Sequence, residues 1–158
     1  MSGKRYILIA TFLLVTGCAQ PETLTEAEQA EIVRQVKATL ENYYSDIRKE
    51  GLTAEFKYLD NSQEFFWVPP GYTSPISYDS VAAILKQNAQ LFKSIDNSFD
   101  TLHIVPLSMY LVTYTGRLRS IMIDTSDQTS AYTMMETGVL IKRKDGWKLL
   151  SGQTSLLK

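Results

Sequence analysis

The sequence predicts an α+β domain in which helices cover one face of a curved sheet whose strands run mixed or antiparallel. Three observations predict this class. An amphipathic helical pattern opens the folded part of the chain, and an alternation of apolar and polar residues with period two begins at Phe99. Near the end, Asp145-Gly146 separates two apolar, β-prone runs, which is a strong signal for a β-hairpin. The predicted order is helix, strand, helix and then four antiparallel strands.

The composition narrows the class of protein further. The chain has 158 residues, of which 44% are hydrophobic, so it suffices for one domain with a real core. A formal net charge of -1 argues against a nucleic-acid binder, because such proteins normally carry a basic face. Cys18 is the single cysteine, so we expect neither a disulfide nor a thiol nucleophile in the folded part.

The first residues have the pattern of an export signal. Lys4 and Arg5 precede an apolar run over residues 6–15, and small residues follow at a cleavage point. A run of about ten apolar residues is too short for a membrane-spanning helix, which needs about 20. We therefore interpret residues 1–17 as a signal peptide.

The end of this segment, Val15-Thr16-Gly17-Cys18, resembles the bacterial lipobox. The resemblance implies that Cys18 is lipidated and that several acyl chains anchor the protein in a membrane. Ala19, rather than an aspartate, follows the cysteine, which implies the outer membrane of the cell envelope, with the domain facing the periplasm. Residues 18–25 then form the lipidated cysteine and its tether, and residues 26–158 form the folded domain. The alternative is an ordinary signal peptide with a chance cysteine.

The first helix is predicted from its cap and its apolar stripe. Thr25-Glu26-Ala27-Glu28 has the spacing of a capping box, in which a threonine hydroxyl and a glutamate satisfy free N–H groups at the helix start. Gly51 is a natural stop for this helix. The stripe that we expect to face the core consists of Val33, Val36, Leu40, Tyr43 or Tyr44, and Ile47.

The middle of the chain predicts three shorter elements. Residues 52–59 form a short helical turn, and the aromatic run over residues 63–68 forms the first strand, which Pro69-Pro70-Gly71 ends. A second helix is predicted over residues 78–94 with Ser77 as its cap.

The remaining residues predict the other strands. One covers residues 99–105 and ends at Pro106. A longer one covers residues 109–125, with Gly116 as a candidate bulge or bend. The terminal hairpin over residues 130–157 completes the sheet.

The register of this hairpin decides which side chains share a face, and the sequence permits two registers. A two-residue turn at Asp145-Gly146 places Glu136 and Gln153 on one polar face. A three-residue turn that includes Lys144 shifts the pairing by one residue. It then separates Glu136 from Gln153 and leaves Gln153 among the apolar side chains of the hairpin.

Three stretches of the chain resemble the nuclear transport factor 2-like superfamily, and specifically its SnoaL-like branch. They are Phe65–Gly71, Ser77–Asp79 and, above all, Asp145–Ser155. The resemblance covers residues 26–157 and implies a cone, in which a bent sheet wraps around the long first helix and leaves a pocket at the open end. It also implies a homodimer, formed through the convex side of the sheet. Enzymes with this fold include ketosteroid isomerases, polyketide cyclases and dehydratases, which need an aspartate or histidine base and donors for an oxyanion.

The chain departs from the pattern of these enzymes. Gln153 stands where many relatives have a histidine, and an amide does not transfer protons at neutral pH. His103 is the single histidine, and a lone strand histidine is more often a packed or surface residue than a catalytic one. One histidine, one lipidated cysteine and scattered acids do not make a metal site. We therefore expect neither a metal nor another cofactor.

Glu136 is the main candidate for a site residue. It lies in an otherwise uncharged β-run, Tyr132–Ile141, where a carboxylate needs a reason. It is either a pocket carboxylate that binds a cation or acts as a base, or a residue that faces solvent or a dimer partner. Aromatic rings commonly line apolar pockets, so most of the candidate pocket residues are aromatic. The candidates are Tyr43, Trp67, Tyr110, Tyr114, Glu136 and Gln153.

Three functions fit these residues. The one we favour, because the family histidine is missing, is a non-enzymatic, membrane-anchored domain that binds a small apolar or aromatic ligand, or a partner. The second is an isomerase or cyclase with Glu136 as base and a tyrosine as oxyanion donor. The third is a structural role in an envelope complex. Burial of Glu136 within ~4 Å of a tyrosine hydroxyl favours the enzyme, and its exposure to bulk water excludes it.

Overall fold

The computed structural model describes residues 23–157, and Cys18 and the predicted signal peptide lie outside the described residues. The predicted order of helix, strand, helix and four further strands is present. The elements are helix α1 (Glu26–Glu50), a 3-10 helix (Leu52–Lys57), strand β1 (Phe66–Val68), helix α2 (Tyr78–Asn88), and strands β2 (Phe92–Pro106), β3 (Leu111–Asp124), β4 (Thr129–Arg143) and β5 (Gly146–Leu156).

The five strands form one open sheet with the order β1-β5-β4-β3-β2. Strand β1 runs parallel to β5, whereas the other neighbours are antiparallel, so the sheet is mixed. Helix α1 packs against one face of the sheet, which we call the inner face, and the buried side chains of both form one core. The predicted α+β class with a long N-terminal helix is confirmed.

Helix α1 begins and ends where its sequence predicts. The Thr25 hydroxyl accepts a hydrogen bond from the Glu28 N–H at 3.3 Å, and the Thr25 N–H donates to the Glu28 carboxylate at 2.8 Å, which completes the capping box. Ile32, rather than Val33, starts the buried stripe. The remaining buried residues of α1 are Val36, Leu40, Tyr43, Tyr44 and Ile47. In the part of the chain that the structure describes, no helix has the length and apolarity to cross a membrane.

Helix α2 is shorter than predicted, and strand β2 is longer. The helix ends at Asn88, and β2 begins at Phe92 instead of Phe99. The reason is that residues 92–98 pair with β3, so that sheet hydrogen bonds replace the helical continuation that the apolar spacing favours. Ile95, directly after the predicted helix, is buried as part of β2.

Gly116 is not a bulge; the irregularity beside it lies in the neighbouring strand β2. The pairing of β2 with β3 shifts between Phe99 and Thr101, so β2 carries the extra residue. Gly116 permits the Phe99 ring to cross β3 closely, because a Cβ at this glycine would lie only 2.6 Å from the ring. Gly116 therefore marks a close approach between the two strands.

The hairpin turns through Lys144-Asp145, with Arg143 paired to Gly146, which has a φ of 121°. The pairing then shifts between Val139 and Leu140, so that Leu150 is an extra residue in β5. Beyond this bulge, Glu136 pairs with Thr154 and Thr137 pairs with Gln153. Neither predicted register therefore holds along the whole hairpin.

The bulge decides the faces of the two polar residues. Glu136 and Gln153 lie on opposite faces, as the three-residue turn predicts. Gln153, however, is exposed on the outer face and does not lie among the apolar side chains of the hairpin. The reason is that one extra residue reverses which side chains of β5 point inward.

Candidate functional site

The inner face of the sheet, α1, the 3-10 helix and α2 enclose a cavity of about 240 Å³, which we call the cone cavity. Most of its walls are apolar. The apolar and aromatic lining residues include Leu52, Leu59, Phe65, Trp67, Pro69, Ile76, Val81, Ile84, Leu85, Ile95, Leu118, Met122, Met134 and Leu149. Polar groups line only a small part of it, and two of them are the carboxylates of Glu55 and Glu136.

Glu136 lies on β4 with only 5% of its surface exposed. The hydroxyls of Tyr44 and Tyr114 donate hydrogen bonds to its Oε1 at 2.8 and 2.7 Å, and the Thr154 hydroxyl donates to its Oε2 at 3.1 Å. These donors come from α1, β3 and β5, so four elements meet at one carboxylate. Burial raises the pKa of Glu136, and the three hydrogen bonds oppose that rise.

Trp67 extends this network to the wall of the cavity. Its indole N–H donates to the Thr154 hydroxyl at 3.3 Å, so that Thr154 relays the contact to Glu136. Trp67 pairs with Gly152 in the parallel ladder between β1 and β5. Gly152 leaves room for the indole, because a Cβ at this glycine would lie 2.6 Å from the ring.

Glu55 projects into the same cavity from the 3-10 helix. The Tyr43 hydroxyl donates to its Oε2 at 2.7 Å. Burial raises the pKa of Glu55 to about 7, against the hydrogen bond from Tyr43, and the negative charge of Glu136 adds to the rise. Glu55 is therefore a carboxyl group that changes its charge near neutral pH.

The three tyrosines that contact these carboxylates keep their protons. Burial is the first cause that raises the pKa of Tyr43, Tyr44 and Tyr114 well above the usual range, and the neighbouring negative carboxylates raise it further. All three hydroxyls thus act as hydrogen-bond donors at neutral pH.

The structure brings four of the predicted pocket residues together and leaves two outside. Tyr43, Trp67 and Glu136 line the cone cavity, and Tyr114 lies behind Glu136 as its donor. Tyr110 is 68% exposed in the turn before β3, so it is not a residue of this cavity. Gln153 is likewise outside the cavity, because of the bulge in β5.

Sequence reasoning missed Glu55, Tyr44 as a donor to Glu136, and Thr154. A signal for Glu55 was present, since it lies between Ala54 and Phe56 in a short helical turn where an acid interrupts apolar residues. No comparable signal exists for Thr154, because its inward orientation depends on the bulge in β5.

The charged side chains that line the cone cavity are acidic. Of its lining residues, all within the described part of the chain, none is lysine, arginine or histidine. His103 is exposed on β2 and does not line the cavity. Residues 23–157 also contain no group of three or more His, Cys, Asp or Glu side chains placed to hold a metal ion.

A second, larger depression of about 500 Å³ lies between α1 and β2. Charged side chains such as Lys37, Glu41 and Arg48 line it. It lacks the buried carboxylates that distinguish the cone cavity, so we place the candidate site in the cone cavity.

Comparison with known proteins agrees with this architecture. The sequence profile described as "SnoaL-like domain" matches residues 36–157. No match was found among curated proteins.

Solved structures share the fold at low sequence identity. A nuclear transport factor 2-like superfamily protein from Salmonella enterica subsp. enterica serovar Typhimurium str. LT2 has a TM-score of 0.71 at 15% identity, over 82% of this chain and 93% of that one. A candidate scytalone dehydratase from Novosphingobium aromaticivorans DSM 12444 has a TM-score of 0.73 at 9% identity, over 85% and 89% of the two chains. Hexachlorocyclohexane dehydrochlorinase LinA-type3 from Novosphingobium barchaimii LL02 has a TM-score of 0.67 at 10% identity, over 85% and 92%. At these identities the likeness shows the fold alone.

Proposed function

The chain belongs to the SnoaL-like domain family, and from that premise we propose that its cone cavity binds and retains one small, largely apolar molecule. The observation that supports this proposal is that the tyrosine hydroxyls around Glu136 are already used as hydrogen-bond donors. Its two tyrosine partners donate to the carboxylate itself, so those hydroxyls are not free to hold an oxyanion of a substrate. Glu136 lies buried beside tyrosine hydroxyls, as an enzyme requires, but the donors that the enzyme needs are occupied.

The size of the cavity limits the ligand. Drug-sized ligands occupy pockets of about 300–1,000 Å³, whereas an apolar cavity of about 150 Å³ holds benzene. A volume of about 240 Å³ therefore suits one ring with a short polar substituent. Aromatic walls such as Phe65 and Trp67 suit the ring, and the carboxylates suit a hydrogen-bond donor.

We expect 2-phenylethanol, which has one ring and one hydroxyl donor, to bind the full-length protein with a Kd of about 1 mM or below. Ile84→Trp fills the cavity from α2 and is expected to weaken this binding at least about tenfold. Isothermal titration calorimetry measures both. Ala83→Trp, which adds the same ring to the exposed side of α2, is the matched control and leaves binding unchanged. Equal binding by the wild-type protein and Ile84→Trp contradicts the cavity as the binding site.

Proton-transfer catalysis is the second candidate function, and Glu55 favours it. Its pKa of about 7 suits a general base, and Tyr43 is the one donor to its carboxylate among the described residues, which leaves its other oxygen free. Deuterium incorporation at the methyl group of acetophenone in D2O distinguishes the two functions. Incorporation that exceeds the rate with Glu55→Gln supports an enzyme, and equal rates support a binding protein.

The proposal includes a location at a membrane, through a lipid on Cys18, and a homodimer through the outer face of the sheet. The lipobox-like sequence before Cys18 supports the first. Exposed apolar side chains on the outer face, among them Phe66, Ile121 and Met135, support the second.

Cys18→Ser is expected to move the protein from the membrane fraction to the soluble fraction, because a serine cannot form the thioether that carries the lipid. Fractionation followed by immunoblotting measures this change. Ser2→Ala, at the other end of the leader, is the control that stays with the membrane. Membrane association of Cys18→Ser equal to that of the wild type contradicts lipidation.

A further inference from the structure

We propose that the ligand of the cone cavity is a small, single-ring primary amine, bound as its ammonium ion between Glu55 and Glu136. This inference rests on the proposed binding function and specifies the chemical class of the ligand. It follows from the hydrogen-bonding atoms, the charge and the walls of the cavity.

The carboxylates and one amide oxygen of the cavity have acceptor positions that no described residue fills. Glu55 receives one hydrogen bond, from Tyr43, so one of its oxygens is unoccupied by donors of the described residues. Glu136 Oε2 receives one hydrogen bond, from Thr154, and a carboxylate oxygen accepts two. Asn97, which also lines the cavity, has a buried side-chain oxygen without a hydrogen-bond partner among residues 23–157. A ligand that satisfies these atoms must donate several hydrogen bonds from one place.

The hydroxyl and indole donors of the cavity are engaged already. The hydroxyls of Tyr43 and Tyr44 donate to the two carboxylates, and the indole N–H of Trp67 donates to Thr154. A ligand whose polar group only accepts hydrogen bonds, such as a ketone or a carboxylate, therefore finds few partners. An ammonium group has three donors and no acceptor, which is the complement of this lining.

The charge of the cavity also favours a cationic ligand. Two carboxylates face one apolar cavity, and the lining residues include no lysine, arginine or histidine to compensate them. Buried charges are ordinarily paired, because an unpaired charge in an apolar environment is costly. A cationic ligand supplies the missing counter-charge, whereas an anionic ligand adds a third negative charge.

The aromatic walls serve both parts of such a ligand. Phe65 and Trp67 provide flat apolar surface for a ring, and the rings of Tyr43 and Tyr44 lie next to the carboxylates that they contact. A cation close to aromatic faces gains a further attraction, which is stronger in a site removed from water. The volume of about 240 Å³ limits the ligand to one ring and a short chain.

The charge of Glu55 makes this binding sensitive to pH. The groups that face Glu55 are Tyr43 from α1 and Glu136 from β4, while Glu136 in turn faces Tyr44 from α1, Tyr114 from β3 and Thr154 from β5. All the tyrosines stay neutral at neutral pH, so the carboxylates alone change charge. Because the pKa of Glu55 is about 7, its negative charge is largely lost at pH 5.5 and largely present at pH 8.

The test uses 2-phenylethylamine, 2-phenylethanol and phenylacetate, which share one ring and differ in the charge of the polar group. Calorimetry with the full-length protein at pH 8 is expected to give about 10- to 100-fold tighter binding for the amine than for the alcohol, and none for phenylacetate. At pH 5.5 the amine, still protonated because alkyl ammonium groups have a pKa near about 10, is expected to bind about tenfold more weakly. Titrations at pH 6 in two buffers of different ionisation enthalpy are expected to show proton release.

Glu55→Gln is expected to reduce the affinity for the amine to within about threefold of that for the alcohol, because the amide keeps the shape but not the charge. Glu41→Gln, on the exposed side of α1, is the matched control and changes neither affinity. Binding of the alcohol without a preference for the amine overturns this inference and leaves the proposed function intact. Binding of none of the probes overturns both. Proton release by the wild-type protein tests the inference independently if Glu55→Gln does not fold.

Discussion

Replacing Glu136 by leucine is expected to lower the free energy of unfolding by about 2–5 kcal/mol, which is a large part of the stability of an ordinary domain. The variant removes the acceptor of three hydroxyls, those of Tyr44, Tyr114 and Thr154. Tyr44 and Tyr114 are 5% and 1% exposed, so bulk water has little access to replace the lost partner of their hydroxyls. Each buried donor left without an acceptor costs about 1–3 kcal/mol. Urea unfolding followed by circular dichroism measures the difference.

Glu136→Gln is the matched control for this variant. Its side-chain oxygen still accepts from both tyrosines, and its amide donates to Thr154, so we expect a change within about 1 kcal/mol. The loss of the buried charge itself is favourable, since burial raises the pKa of Glu136. If leucine and glutamine destabilise the protein equally, the hydroxyls do not depend on Glu136, and our description of the network is wrong.

Between pH 5 and pH 8 the wild-type protein is expected to lose about 2–3 kcal/mol of stability, because the folded state keeps a proton on Glu55 that the unfolded state releases. The pKa of Glu55 is about 7 in the folded protein against the model-peptide value of 4.5. A raised carboxyl pKa means that the folded state binds more protons over this interval, so stability falls as pH rises and levels off above about pH 7. The full shift corresponds to about 3 kcal/mol, and solvent in the cavity reduces it. Urea unfolding at several pH values measures the slope.

Glu55→Gln is expected to remove most of this slope, because glutamine has no proton to lose. A slope of the same sign remains from Glu136, whose pKa is also raised. Carboxylates with lowered pKa values, such as Asp60 beside Arg143, act in the opposite direction and only below about pH 5. An identical slope in the wild-type protein and Glu55→Gln contradicts the raised pKa. Glu41→Gln, the exposed control, keeps the wild-type slope.

Glu136 and Glu55 have different roles in the cone cavity. Glu136 joins α1, β3, β4 and β5 through hydroxyl donors, so it contributes to the fold and to the site together. Glu55 has a single donor in the part of the chain that the structure describes, and its pKa is near neutrality, so it can respond to a ligand. The same cavity therefore contains one carboxylate that is held firmly and one that remains available.

The sequence alone predicted the parts of this protein that depend on local pattern. The capping box at Thr25 and the stop at Gly51 predicted α1, because both act within one helical turn of the residues concerned. The period of two and the Asp145-Gly146 signal predicted the strands and the hairpin. Glu136 was recognised as an exception in an apolar run, since a carboxylate there requires a compensating environment.

Only the tertiary structure decided which side chains meet in the cone cavity. The extra residue at Leu150 turns Thr154 inward and Gln153 outward, and no local property of either residue determines that choice. The end of α2 was set by the pairing of residues 92–98 with β3, which outweighs helical spacing. Glu55 approaches Glu136 across 81 positions of sequence only because the 3-10 helix and β4 close on the same cavity. Helix caps and alternation depend on neighbours in sequence, whereas strand register and cavity walls depend on contacts between distant segments, and those arise only when the whole chain packs.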